Sequence, residues 1–220
     1  LLNWFLAGTT VQTGAINLVA GCSDWTITAN SFYQTASRTF TSSGIVSAIS
    51  VNNTVNSTNY TITNNFIGGT APSCGGTPMT WSATTGTPVY RILYMSVGSS
   101  GINTISGNTI QNIAMTSAST STAQSIISHL NGHINITGNT IGSQSATGSI
   151  TYTNSATTTA SILYGFLTGN GANVSNVNIT SNTIGGITIS TSSTGSTAFR
   201  IMYSQAVQGS SVTISNNTIG

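Results

Sequence analysis

The chain has 220 residues, with three Lys+Arg and one Asp+Glu, against about a quarter charged in an ordinary soluble domain. The formal net charge of +2 supplies no basic stripe for nucleic acid, and no apolar run approaches the roughly 18 residues of a membrane span. Low charge with abundant Ser, Thr, Asn and Gly suggests disorder, but the plentiful Ile, Val and Thr stand at ordered positions, which a disordered chain lacks.

The first stretch, Leu1 to Gly8, is apolar and has neither an initiating Met nor a basic flank. It does not read as a signal peptide and is expected to be a strand of a first, incomplete turn. From there the chain repeats. Anchored on one asparagine, the copies are Asn30, Asn65, Asn108, Asn139, Asn182 and Asn217. Three residues before each anchor stands Ile27, Ile62, Ile105, Ile136, Ile179 or Ile214, and two after it Phe32, Ile67, Ile110, Ile141, Ile184 or Ile219. Such columns define a repeat protein.

The flanks alternate. Thr26/Thr28, Thr61/Thr63, Thr104/Ser106, Asn135/Thr137, Asn178/Thr180 and Thr213/Ser215 bracket the Ile column, and Trp25, Tyr60, Ile134, Val177 and Val212 precede it as an inner apolar column. Period-two alternation over β-branched residues predicts strands, apolar in and small polar out. At Asn103 the inner column breaks, with Ile102 one place early, which predicts a local shift or a bulge. The anchor asparagines suit a left-handed bend and, stacked, a side-chain ladder.

The anchors are spaced 35, 43, 31, 43 and 35 residues apart, so each turn carries a variable insert. Ser/Thr-rich excursions at 116–125 and 191–197 supply it, and each leads into a second apolar block: Arg91–Tyr94, Ser125–Ser128, Ser161–Tyr164, Arg200–Tyr203. One turn therefore reads strand, asparagine bend, short strand, excursion, strand. The fold class is all-β: a parallel β-helix of about six turns with three strands per turn, forming one domain over 1–220. At about 4.8 Å per turn the rod is roughly 29 Å long.

The pattern Ile-Thr-x-Asn-x-Ile-Gly resembles the right-handed parallel β-helix repeats of secreted proteins. The Ser/Thr excursions resemble those of long bacterial surface proteins of the adhesin type. The resemblance runs from about Ala15 to Gly220; it implies fold, because this scaffold serves many functions.

Between Thr70 and Pro88 lies the longest irregular insertion, with all three prolines (Pro72, Pro78, Pro88), Cys74 and Trp81. A loop that covers the flank of the stack is the favoured reading, ahead of a binding loop. Cys22 and Cys74 lie at different registers, and a disulfide between them stays open. His129 and His133 have no third ligand in sight and sit in strand and turn, so metal binding is not expected. Tyr94, Tyr164 and Tyr203 are read as occupying matching places, preceded in two blocks by Arg91 and Arg200.

Catalysis fails on inventory: most glycoside hydrolases need two carboxylates, and the chain has only Asp24. No cofactor and no metal are expected. The expected function is a non-catalytic extracellular structural or adhesive rod, at the cell surface or in a filament. Its expected partners are itself, end to end, or further repeats of the same chain, with surface glycans as a further candidate and neither nucleic acid nor membrane insertion. The alternative is an ice- or polysaccharide-binding array of Thr26, Thr28, Thr61, Thr63, Thr104, Ser106, Thr137, Thr180, Thr213 and Ser215. Asn-x-Ser/Thr sequons at Asn52, Asn56, Asn59, Asn135, Asn173, Asn178 and Asn216 permit glycosylation. The chain stops within a turn and both ends read as continuable.

Overall fold

The computed structural model describes residues 13–41, 43–54, 59–83, 86–118, 124–156, 161–169, 175–191 and 197–220. Leu1 to Gly8, much of the two Ser/Thr excursions, and the sequons at Asn56 and Asn173 lie outside them. Among the described residues every element is a strand, and the strands form four parallel sheets running the length of a β-helix.

A turn begins on a long face, built from Thr13–Leu18, Ile45–Asn53, Val89–Val97, Gln124–His129, Ser161–Thr168 and Thr197–Ser204. It continues through a threonine face of Thr26–Thr28, Thr61–Thr63, Ile102–Ser106, His133–Thr137, Asn176–Thr180 and Ser211–Ser215. A short face follows the asparagine bend: Ser31–Phe32, Phe66–Ile67, Thr109–Ile110, Thr140–Gly142, Thr183–Gly185 and Thr218–Ile219. The fourth face contains Arg38–Phe40, Met79–Ala83, Ile113–Ser117, Ile150–Asn154 and Ile187–Thr191. A turn thus has four strands where the sequence predicts three. The added strand hides at the start of the Ser/Thr excursion, where outward hydroxyls alternate with inward residues of varied type.

The lumen is mostly apolar. Ile62, Ile105, Ile136, Ile67, Ile110 and Ile141 are fully buried, and each contributes on the order of 1.5–3 kcal/mol. Because successive Ile residues pair directly across turns, as in Ile105 with Ile62 and Ile136, the two columns pack as continuous ridges. Larger side chains fill the wider part: Trp81 and Tyr90 have ring centroids 5.7 Å apart, and the Tyr90 hydroxyl donates to Thr116 O at 2.9 Å. Trp81 stands in Met79–Ala83, so the stretch 70–88 includes a regular strand.

The long strands bend. Pairing passes over the column Ala48, Ile92, Ile126, Gly165 and Ile201, and at the bend two consecutive residues face inward, as Ile92 and Leu93 do. Gly142 shows how tightly the turns approach at the Ile-Gly step. Its φ is +71°, and an added Cβ would lie 1.9 Å from Gly185 O, so no larger residue fits.

Two local expectations are corrected. No bulge forms at Asn103, since Ile102 pairs with His133 and Asn103 with Ile134 in unbroken register. Asn103 is buried in the inner column instead, and its amide replaces apolar contact with hydrogen bonds. Its Oδ1 accepts from Tyr60 N at 3.0 Å and its Nδ2 donates to His133 O at 3.0 Å. Ile102 consequently faces out, 59% exposed. Trp25 does not join the inner column: it precedes the strand Thr26–Thr28 and is 48% exposed.

Candidate binding surface

The bend between the threonine and short faces is built by two adjacent residues with separate tasks. The residue before each anchor, Ala29, Asn64, Gly107, Gly138, Ser181 or Asn216, has φ between 55° and 63°. The left-handed position is therefore this one, and the anchor asparagine itself supplies the ladder. Asn65 Nδ2 donates to Asn108 Oδ1 at 2.9 Å, Asn108 to Asn139 at 2.9 Å, Asn139 to Asn182 at 2.9 Å and Asn182 to Asn217 at 2.9 Å. Asn30 donates to Asn65 Oδ1 at 3.1 Å. The main-chain N–H of each anchor from Asn30 to Asn182 reaches the same oxygen, and each Nδ2 from Asn65 onward also meets the Ile carbonyl of the preceding turn, as Asn108 meets Ile62 O at 2.8 Å. The ladder has a direction: amides point toward the C-terminal turn and oxygens toward the N-terminal one.

Outside this bend lie the threonines. Thr26, Thr61, Thr104, Asn135, Asn178 and Thr213 form one rank in register; Thr28, Thr63, Ser106, Thr137, Thr180 and Ser215 form the second. The structure thus brings all ten array residues onto one sheet face. Some polar groups are satisfied along the stack: Thr63 Oγ1 donates to Thr28 Oγ1 at 3.1 Å, Thr180 Oγ1 to Thr137 Oγ1 at 3.2 Å and Asn178 Nδ2 to Asn135 Oδ1 at 2.8 Å. Beside the first rank, His133 Nδ1 accepts from Asn176 N at 3.0 Å.

The two histidines separate. His129 points into the lumen, in register with Met95 and Thr168, and is fully buried. Neither ring nitrogen has a hydrogen-bond partner. Burial pushes its pKa below the ordinary 6.5 to about 4, with nearby main-chain groups of Asn131 and Gly132 opposing this only in part. Among the described residues no group of three or more His, Cys, Asp and Glu gathers to hold a metal. Cys22 and Cys74 are free, and burial raises the Cys74 thiol to about 11.

The tyrosines do not share one column. Tyr94 aligns with Ser50 and Ser128, and Tyr203 with Leu167 in that same column, whereas Tyr164 aligns with Ser125 and Arg200. The diagonal still brings Tyr164 and Tyr203 into a stack 5.0 Å apart, while Arg91 lies 5.0 Å from the Tyr94 ring and Arg200 5.2 Å from Tyr203. On the last described turn, Ile214 and Ile219 are 51% and 54% exposed, and a concavity of about 290 Å³ opens over Ile184, Ile187, Phe199 and Ile201.

Sequence reasoning missed the left-handed column and the inward His129. A signal for the first was present, since four of its six members are Gly or Asn. Comparison of the chain with protein-family models, curated proteins and solved structures gives no match.

Proposed function

We propose that the chain is a segment of a non-catalytic extracellular rod, structural or adhesive, that continues end to end through a second copy or through further turns of the same kind. The directional asparagine ladder carries this reading. Each rung from Asn30 to Asn182 donates forward to the oxygen of the next, so a further turn of the same kind, or a second copy, continues the same pattern. The Ile column repeats in unbroken register from Ile27 to Ile214, which suits addition of further turns. A net charge of only +2 leaves little repulsion against stacking. The near absence of acidic side chains, Asp24 alone, argues against hydrolytic chemistry.

Location is tested by antibodies raised against the chain, applied to intact cells of the source and again after external protease. Labelling of intact cells that protease removes supports the rod reading. Labelling confined to permeabilised cells contradicts it.

A second reading rests on the threonine face, whose rank from Thr28 to Ser215 carries a hydroxyl at every turn. Ranks spaced about 4.8 Å between turns and roughly 7 Å along the strand suit an ordered surface such as ice or a crystalline polysaccharide. Thermal hysteresis no greater than that of buffer, with no retention on insoluble polysaccharide, removes this reading.

A further inference from the structure

Among the buried polar atoms without partners, those of Gln34 and Arg38 fall together in the first turn. Arg38 pairs with Trp81 and Phe40 with Ala83, and Trp81, Phe40 and Ala83 are all buried. Arg38 lies two residues from Phe40 on the same strand, so it too is directed to the lumen side, although the residue as a whole is only half-buried. Gln34 is 2% exposed, and its Oε1 accepts from Trp81 Nε1 at 3.2 Å. Trp81 thus has one of these side chains bonded to its indole and the other on the neighbouring strand at its own level.

Three nitrogen atoms here are shielded from solvent and have no acceptor: Gln34 Nε2, Arg38 Nε and Arg38 Nη2. Buried donors ordinarily find partners, and charged N–H groups are costly to leave without one. The chain's single acidic side chain, Asp24, accepts from Asn59 Nδ2 at 3.0 Å at the entry to the threonine face. Nε and Nη2 lie on one edge of the guanidinium, the edge whose two parallel N–H groups match two oxygens of a carboxylate or phosphate. Gln34 Nε2 adds a neutral donor beside the same indole.

We propose that Arg38 and Gln34 form a binding site for a small oxyanion, a carboxylate or phosphate, in the lumen of the first turn. The anion accepts from the Nε–Nη2 edge and from Gln34 Nε2, and it neutralises the half-buried Arg38. If a second copy stacks on this end, the same anion spares the junction an unpaired buried cation, but the site itself does not depend on stacking.

The test follows the thermal unfolding and tryptophan fluorescence of the 220-residue chain at fixed ionic strength, with chloride replaced by acetate or by inorganic phosphate. The expected result is a saturable rise in Tm with one or both anions, accompanied by a change in emission from Trp81. Response to only one of them identifies the preferred class. Arg38→Met weakens the response at least tenfold. Because that variant can fail to fold, Gln34→Glu is the second arm: it keeps the acceptor for Trp81 Nε1 and places a carboxylate beside Arg38. It should raise Tm in chloride and abolish the response to both anions. Identical behaviour of the unsubstituted chain in all three salts overturns the proposal. So does an undiminished response in Gln34→Glu, which would mark a general salt effect.

Discussion

Asn108 donates its side-chain amide to Asn139 Oδ1 at 2.9 Å and its main-chain N–H to the same oxygen at 3.0 Å. Both residues are fully buried. A single atom of one turn therefore satisfies two donors of the turn before it, and the amide that carries that atom passes the same service onward.

Asn108→Ala removes the side-chain donor to Asn139 Oδ1 and Ile62 O, keeps the main-chain N–H, and strands the Asn65 N–H, which uses Asn108 Oδ1 at 3.0 Å, while Asn65 Nδ2 keeps only Ile27 O and Thr63 O. Leaving buried groups unsatisfied costs about 1–3 kcal/mol each, less where water reaches in, so a loss of roughly 2–4 kcal/mol is expected. Asn30→Ala, at an exposed position, should cost about 1 kcal/mol or less. Urea unfolding of both variants checks the contrast.

Ser181 has φ 57°, a conformation that costs a non-glycine residue about 1–2 kcal/mol. Glycine relieves this strain but loses about 0.5–1 kcal/mol in chain entropy. Ser181→Gly is expected to stabilise by about 0.5–1 kcal/mol, whereas Asn182→Gly should destabilise strongly through the ladder. Equal effects at the two positions would contradict the division of tasks at the bend.

His129 makes stability depend on pH. Its folded pKa lies below the ordinary value, so the unfolded chain takes up the proton first as pH falls. Stability is full above pH 6.5, declines from there to about 4 and levels off below, a total of about 3 kcal/mol. His129→Met, matched to Met95 in the adjacent strand, should remove most of that slope. Denaturant midpoints measured across the interval give the answer.

Ile179→Asp buries an unpaired charge at a position 2% exposed and should prevent cooperative folding. Thr188→Asp, on the exposed side of the fourth face, should be tolerated. Circular dichroism with thermal melting separates the two outcomes.

The fold was legible because the Ile and Asn columns repeat in identity as well as in polarity. The fourth face was not, since its inward positions hold Arg38, Trp81, Met115, Tyr152 and Ile189, which share a direction but no residue type. For the same reason nothing in the sequence marks Arg38 as inward. Tyr164 was misaligned because the long strands bend, and the bend lets two neighbours face the lumen and so shifts any count made by alternation. The threonine ranks were legible in place, while the hydrogen bonds that join some of their members along the stack depend on register across turns.

End-to-end continuation is tested most directly by negative-stain imaging of the isolated 220-residue chain over a range of concentrations, with mass determined in parallel. One described stack of six turns is roughly 29 Å long at about 4.8 Å per turn. The expected result is straight rods whose lengths increase with concentration in multiples of that unit, and which shorten in Asn217→Ala. Short particles of one-chain mass at every concentration, unchanged by Asn217→Ala, would contradict assembly through the ladder and its apolar columns.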